Sequence, residues 1–347
     1  MSSPPSFTEL LSAVKREVDD ELVALWDAAL HEHAARGPAV LGPLDAARAL
    51  CARGGKRLRA ALVAVGHQLG GGDGRALAAC CAVELLQAYF LIHDDWMDGD
   101  RLRRGGPAVH AALETQFASA HLAAAGAVLA GDYTLALATR QLARVQAPEG
   151  RWPQLVARFA QMQLDAVIGQ KLDVLGDGSN LEEVYRLKTG SYTVLGPLLL
   201  GLELCPPRSD DASVRAALEA FALPLGIAFQ LRDDLIGAYA DPSVTGKPLG
   251  GDLRAGKRTL LVNLVLARRG SEAERLLTGV LGNAEASNAE VERALAALEA
   301  CGARAEVEQR IAGLARQASQ ALDAGAWSRD ARAVLDGLSR AMLERTA

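Results

Sequence analysis

Between Arg75 and about Asp98 the chain is long and almost wholly apolar, and it closes on the acidic run Asp94-Asp95-Trp96-Met97-Asp98. A helix that is apolar all round has to be buried, so this segment is expected to be the central helix of a core. The signal recurs at Ala212–Ala240, a second long apolar helix that closes on Arg232-Asp233-Asp234. Phe7–His33 reads as an amphipathic helix, because Leu10, Leu11, Val14, Val18, Leu22 and Leu25 recur at helical spacing. Pro43–Ala52, Lys56–Leu69, Ala118–Val145, Trp152–Leu172, Leu181–Leu187 and Tyr192–Leu204 are further helices, the last two meeting near Thr189-Gly190. Helices resume from Arg258, with turns near Gly282 and Gly302. Arg101–Pro107 and Asp241–Gly256 are glycine-bearing loops, and no β-branched alternating run predicts a strand. The expectation is one all-α domain spanning 1–347, with no linker to divide it.

Composition narrows the function classes. Hydrophobic residues make up 50% of the 347 but aromatics only 4%, so Ala, Leu and Val must fill the core. A formal net charge of −5 argues against binding nucleic acid by general phosphate attraction. Cys51, Cys80, Cys81, Cys205 and Cys301 form no CxxC pair and no disulfide framework. They are read as reduced, mostly buried residues of a cytoplasmic protein. The N-terminal residues lack the pattern of a signal peptide. The most apolar stretch, Thr193 to Cys205, falls short of the roughly 20 residues that span a bilayer, so no transmembrane segment is expected.

Two acidic clusters and several basic ones carry the chemistry. Residues four apart on a helix lie about 40° apart around its axis, so Asp94 and Asp98 share a face, with Asp95 beside them. Clustered carboxylates repel unless a cation neutralises them, and oxygen-only ligands suit Mg2+, which shares itself with phosphate oxygens. Either acidic pair alone reads as a solvated helix end. Two such pairs, each closing a buried helix and each followed by a basic glycine loop, do not. Gly54-Gly55-Lys56-Arg57-Leu58-Arg59 opens a helix with glycines and cations, the makings of an anion cradle in which Lys56 and Arg59 share a face. Arg103-Arg104-Gly105-Gly106-Pro107 follows the first acidic run, and guanidinium forks bind diphosphate in bidentate fashion. Lys247 and Lys257 flank the loop after the second run. His93 is read as a packed or supporting residue, His110 as structural, and Trp96 with Met97 as core.

From about Gly54 to Leu261 the chain resembles the trans-prenyl diphosphate synthase family. The resemblance rests on the clusters above, on Gly169-Gln170-Lys171-Leu172-Asp173, on Lys188-Thr189-Gly190-Ser191-Tyr192-Thr193, and on Gly226 to Asp234, all in the family's order. It implies an isoprenoid-synthase helical bundle around a central deep active-site cavity, the likeness to farnesyl and geranylgeranyl diphosphate synthases, and a homodimer. It implies condensation of isopentenyl diphosphate with an allylic diphosphate, dimethylallyl or geranyl, aided by about three Mg2+ ions. Carried over by position, Asp94, Asp95 and Asp98 bind metal, as do Asp233 and, less directly, Asp234. Arg103, Lys188, Lys247 and Lys257 grip the allylic diphosphate, while Lys56, Arg59, Arg104 and Gln87 hold isopentenyl diphosphate. Thr189 and Gln230 present oxygens to a developing allylic cation, and Gln170 and Asp173 lie near the cavity.

One departure concerns Gly237, where the family usually has a third aspartate. Asp241, seven positions after Asp234, is the expected substitute. Tyr89 and Phe90, about one turn before Asp94, are the expected cavity floor, which in the family favours a C15 over a C20 product. Two other readings stay open: a class I terpene cyclase, which shares the first acidic motif, and a non-catalytic regulatory subunit, for which Gly237 speaks.

Overall fold

The structure, a computed structural model, describes residues 6–73, 76–176, 178–239 and 249–344. It divides into two compact units: Met1–Ala160 with Gly196–Ser209, and Gln161–Leu195 with Asp210–Ala347.

Unit one holds α1 (Phe7–Glu32), α2 (Pro38–Ala52), α3 (Leu58–Leu69), α4 (Leu77–Met97), α5 (Val109–Phe117), α6 (Ala120–Ala143), the first part of α7 (Trp152–Leu175), and α9 (Gly196–Glu203). A capping box starts α1: Glu9 N–H donates to Ser6 Oγ at 3.3 Å and Ser6 N–H to Glu9 Oε2 at 2.8 Å. The α2 helix begins at Pro38, earlier than expected, because a proline at the first helical position loses no intrahelical bond. The α3 helix begins at Leu58 and not at Lys56, because Arg57 is left-handed with φ 50°. Lys56 therefore lies outside the helix and does not share a helical face with Arg59. The α4 helix packs along α6 and against α3. Leu62, Val63, Leu85, Leu86 and Ile92 are buried in this core.

The Arg101–Pro107 segment is a small hairpin rather than an irregular loop. Strands β1 (Leu102–Arg103) and β2 (Gly106–Pro107) pair antiparallel around Arg104 and Gly105. Both turn residues have positive φ, 53° and 72°, the signature of a tight turn whose twist matches the strands. The sequence hid it because an arginine stands where asparagine or glycine is usual. A second correction concerns Trp96 and Met97. Each is 43% exposed, because the α4 face they occupy points away from the core.

Unit two holds the rest of α7, α8 (Leu181–Tyr185), a π-helical segment (Arg186–Leu195), α10 (Asp211–Tyr239), α11 (Gly251–Arg254), α12 (Leu260–Leu266), α13 (Glu272–Val280), α14 (Asn288–Ala300), α15 (Ala303–Ala324) and α16 (Arg329–Leu343). The α10 helix is its axis, packed along α15 and the π segment. Leu231, Leu235, Leu253, Val265, Leu277 and Leu298 belong to its core cluster. The break expected near Thr189-Gly190 is absent: the chain widens into a π turn instead of ending a helix. The α11 turn lies where a loop was expected.

Three helices, α4, α6 and α10, have the length and apolarity of membrane spans, which corrects the reading that no stretch is long enough. In α4, 61% of the apolar window is buried within the chain, so core packing accounts for its composition. In α6 only 44% is buried, and Leu122 and Leu129 are 53% and 65% exposed. Among the described residues all five cysteines are free thiols, and all but Cys301 are buried.

Candidate functional site

In unit one the end of α4 presents its carboxylates unequally. Asp98 is the C-cap and keeps helical angles, its N–H donating to Asp94 O, so Asp94 and Asp98 do share a face one turn apart. Asp94 is half-buried and Asp98 exposed, while Asp95 is 0% exposed. Asp95 Oδ1 accepts from Arg103 Nε at 2.7 Å, and Arg103 Nη2 reaches Asp100 Oδ2 at 2.8 Å. Burial raises the Asp95 pKa, and Arg103 only partly opposes it. Asp95 Oδ2 is buried with no hydrogen-bond partner. An acceptor in that state costs free energy, and a hard cation would satisfy it. Among the described residues, no three of His, Cys, Asp and Glu already converge on one point as a metal centre. Asp94, Asp95 and Asp98 could thus hold an ion only together with a bound ligand, the way Mg2+ shares itself with phosphate oxygens.

The two basic motifs of unit one meet. Arg53 Nη2 donates to Pro107 O at 2.8 Å, tying the hairpin to the turn before α3. A Cβ at Gly55 would lie 2.9 Å from Arg104 Nη2, so glycine here admits the guanidinium. The Arg104 pKa is lowered by burial and by the neighbouring Arg57 and Arg59 cations, with Glu84 opposing. Like charges gathered at partial burial repel one another, and an anion relieves that repulsion. Arg57 is the keystone, 4% exposed. It pairs with Asp19 at 2.8 Å and Glu84 at 3.3 Å and donates to Cys51 O at 2.9 Å. Glu84 also accepts from Ala60 N–H at 3.2 Å. Lys56 is exposed and Arg59 half-buried. Gln87, two turns before Asp94 on α4, is half-buried.

One turn below Asp94, the Tyr89 ring packs on Phe90 with centroids 4.8 Å apart and on His93 at 4.6 Å. His93 Nε2 lies 3.1 Å from Val128 O on α6, which agrees with a supporting role. His110 is buried at the start of α5, as a structural residue would be.

Unit two gathers its candidates through one close approach. A Cβ at Gly226 would come within 2.8 Å of Gly190 N, so α10 and the π segment touch backbone to backbone. That contact sets Thr189 Oγ1 against Gln230 Oε1 at 2.8 Å. Gln230 Nε2 donates to Asp234 Oδ1 at 2.9 Å, and a carboxylate can only accept. Tyr185 Oη donates to Asp234 Oδ2 at 2.5 Å and accepts from Leu260 N–H at 3.2 Å. This chain fixes the Gln230 amide so that its oxygen faces the Thr189 hydroxyl. Asp234 is buried and Asp233 exposed. Lys188 Nζ donates to Gln170 Oε1 and, at 2.7 Å, to Asp173 Oδ2. Lys257 Nζ lies 3.4 Å from Asp234 and 3.8 Å from Asp252. Burial would lower the Lys257 pKa, but Asp234, Asp252, Asp173 and Asp233 together raise it.

Lys247 and Asp241 lie outside the described residues. Sequence reasoning missed Asp19, Arg57, Glu84, Tyr185 and Asp252. The left-handed Arg57 and the return of Asp252 to α10 have no local signal. Tyr185, three before Lys188, stood beside a motif and was legible as a neighbour.

Residues 44–298 match the family described as Polyprenyl synthetase. A geranylgeranyl diphosphate synthase of Mycobacterium tuberculosis is 37% identical over 262 residues, 74% of this chain and 71% of the relative. A (2E,6E)-farnesyl diphosphate synthase of Mycobacterium bovis is 35% identical over 262 residues, 72% of this chain and 67% of that protein. The crystal structure of a geranylgeranyl pyrophosphate synthase from Corynebacterium glutamicum, complexed with isoprenyl diphosphate and magnesium, superposes with a TM-score of 0.85. It is 30% identical and covers 96% of this chain and 99% of its own.

Proposed function

The chain belongs to the polyprenyl synthetase family, and from that membership we propose that it joins isopentenyl diphosphate head to tail to dimethylallyl or geranyl diphosphate, making a short all-trans prenyl diphosphate. It is a prenyltransferase of the short-chain class. The observation that carries the reading is the α4 terminus, where an unpartnered buried carboxylate oxygen of Asp95 stands beside Asp94 and Asp98 and is followed directly by a guanidinium-rich hairpin.

Mg2+, about three ions, would be held by Asp94, Asp95 and Asp98 and by Asp233 and Asp234, and when bound it neutralises the departing diphosphate. Arg103, Lys188, Lys247 and Lys257 grip the allylic diphosphate and take up the charge that moves onto it as the C–O bond breaks. Thr189 and Gln230 turn oxygen lone pairs toward the allylic cation left behind. Lys56, Arg59, Arg104 and Gln87 hold isopentenyl diphosphate, whose double bond attacks that cation. A proton then leaves to the released diphosphate, so no protein nucleophile is needed.

Tyr89 and Phe90 serve as the floor that limits the product to C15 over C20. The whole of 1–347 acts as one catalytic domain in the cytoplasm. A homodimer is supported by the apolar face of α6 that its own chain leaves open, where Leu122 and Leu129 are exposed. The cyclase reading is weaker, because a cyclase binds one diphosphate and leaves Lys56, Arg59 and Arg104, the cations assigned to the second, without a purpose. The test is the purified chain with Mg2+, isopentenyl diphosphate and each allylic starter of five, ten or fifteen carbons, with products sized by chromatography. Linear products that need isopentenyl diphosphate and vanish with a chelator are expected. Inactivity of the isolated chain would favour the regulatory-subunit reading, and cyclic products made without isopentenyl diphosphate the cyclase.

A further inference from the structure

Two arginines cross between the basic motifs of unit one in opposite directions. Arg104, in the turn of the hairpin, reaches the segment before α3, where a Cβ at Gly55 would lie 2.9 Å from its Nη2. Arg53, the C-cap of α2, reaches the hairpin, where a Cβ at Gly106 would lie 2.7 Å from its Nη1. Each motif keeps a glycine where the other sends a guanidinium. Arg53 Nη2 also donates to Pro107 O at 2.8 Å, on the strand that follows Arg104 and Gly105. Its Nε is buried with no partner among the described residues. A buried donor left unpaired costs free energy, so packing alone does not account for an arginine at this position.

The two arginines of the hairpin are held unequally. Arg103 has its own anchors, Asp95 at 2.7 Å and Asp100 at 2.8 Å. Arg104 has none of that kind. Burial and the charges of Arg57, Glu84 and Arg59 act on its guanidinium, and no hydrogen bond does. Its backbone is left-handed, φ 53°, a conformation that a residue with a Cβ holds only when its surroundings impose it. The place of Arg104 over Gly55 therefore depends on where the hairpin backbone lies, and the side chain tying that backbone to the turn is Arg53. We infer that Arg53 is a positioning residue for the second diphosphate: clasping the hairpin at Gly106 and Pro107, it holds Arg104 over Gly55, where Arg104 meets isopentenyl diphosphate beside Lys56 and Arg59. The inference deepens the proposed function and rests on it for the identity of the anion. The grip of Arg103 on the allylic diphosphate does not pass through Arg53. Loss of Arg53 therefore weakens one diphosphate and spares the other, a split that a purely structural role would not give.

The experiment measures binding of inorganic pyrophosphate to the full chain by titration calorimetry, with a chelator present so that no metal ion takes part. The proteins compared are the parent, Arg53→Ala, Gly106→Ala, Arg104→Ala, and Arg53→Ala with Arg104→Ala. Arg53→Ala and Gly106→Ala are each expected to weaken pyrophosphate by about tenfold, as loss of one charge-assisted hydrogen bond does. Gly106→Ala keeps every charge and acts only by displacing the guanidinium; φ at Gly106 is not positive, so alanine fits its backbone. It carries the comparison if Arg53→Ala fails to fold. The double variant is expected to bind like Arg104→Ala alone, because a residue that acts through another adds nothing once that other is gone. With Mg2+, isopentenyl diphosphate and geranyl diphosphate, Arg53→Ala is expected to raise KM about tenfold for the first and less than about twofold for the second. Parent-like pyrophosphate binding in Arg53→Ala and Gly106→Ala overturns the inference, as does a parent that binds no pyrophosphate. Losses that multiply in the double variant, or an equal rise in both KM values, overturn it too. A chain that shows these pyrophosphate effects but makes no prenyl product upholds the inference and overturns the proposed function alone.

Discussion

Asp95 lies fully buried with its Oδ1 2.7 Å from Arg103 Nε, while its neighbour Asp94 stays half-buried on the face it shares with Asp98. Adjacent carboxylates of one motif therefore divide their work between holding the hairpin and meeting solvent. Asp94→Asn is expected to leave the melting temperature unchanged and to lower kcat by about 10²- to 10³-fold, as loss of a preorganised electrostatic partner does. Asp95→Ala is expected to lower both. It leaves Arg103 without its buried partner, at a cost of about 2 kcal/mol, less than for a fully buried pair because Asp100 remains. Denaturant midpoints beside steady-state rates separate the two, and equal melting curves would refute the division.

Arg57 supports the basic cluster from beneath. With side chains 3% and 4% exposed, the Arg57–Glu84 pair is hidden from water. Arg57→Ala strands the Glu84 charge and is expected to cost about 3–5 kcal/mol, the penalty for an uncompensated buried ion. Arg59→Ala, at the half-buried rim, is expected to raise KM for isopentenyl diphosphate with little change in stability. Calorimetric melting and KM for the two substrates check both halves.

The buried thiols make stability fall at alkaline pH. Burial, aided by Glu21 and Glu84, pushes the Cys81 pKa from 9.0 up to about 12. The folded state then binds more protons than the unfolded state across that window, so unfolding becomes easier as pH rises through it. Each such thiol contributes a slope of up to about 1.4 kcal/mol per pH unit. Denaturant midpoints at pH 8 to about 10.5 should fall more steeply for the parent than for Cys81→Ala. Parallel curves would show that Cys81 is ionised equally in both states.

Tyr185 is expected to bear on the reaction through other residues. Its hydroxyl is the donor that occupies Asp234 Oδ2 and the acceptor for Leu260 N–H. Tyr185→Phe leaves both unpaired in a buried setting and is expected to cost about 1–3 kcal/mol. It also frees Asp234 to turn, which loosens Gln230 and Thr189. A fall in kcat with KM for both diphosphates unchanged is the mark of that positioning role, and a uniform fall in active fraction would mark a purely structural one.

Much of this was legible from the chain itself, for identifiable reasons. Helical period and apolar content expose α1, α4 and α10, because burial of one face is written into residue spacing. Asp94 and Asp98 share a face as spacing requires, since the cap keeps helical angles. Arg57 was not legible, because a left-handed arginine at a helix start looks like any helical arginine. The hairpin at Arg104 escaped for the same reason. The approach of Asp252 to Gly237 escaped because it depends on α11 returning to α10, a contact no local pattern encodes. Asp241, the acid at helical register with Asp234, lies outside the described residues.

Product length is the last property that side-chain placement on α4 addresses. Phe90, four before Asp94, lies on the Asp94 face and is 9% exposed, and the Tyr89 ring rests against it at 4.8 Å. The His93 ring, anchored to Val128 O, also packs on Tyr89 with centroids 4.6 Å apart. Under the proposed function, two rings so packed are expected to resist displacement by a growing prenyl chain, since packed interiors yield little without loss of contact. Phe90→Ala is expected to shift products upward by one five-carbon unit, and Tyr89→Ala with Phe90→Ala to shift them further. His93→Ala keeps both rings but removes their brace, and is expected to broaden the product distribution without moving its longest member as far. Chromatography of products from geranyl diphosphate and excess isopentenyl diphosphate reads all three. An unchanged chain length in the double variant would place the floor on another element.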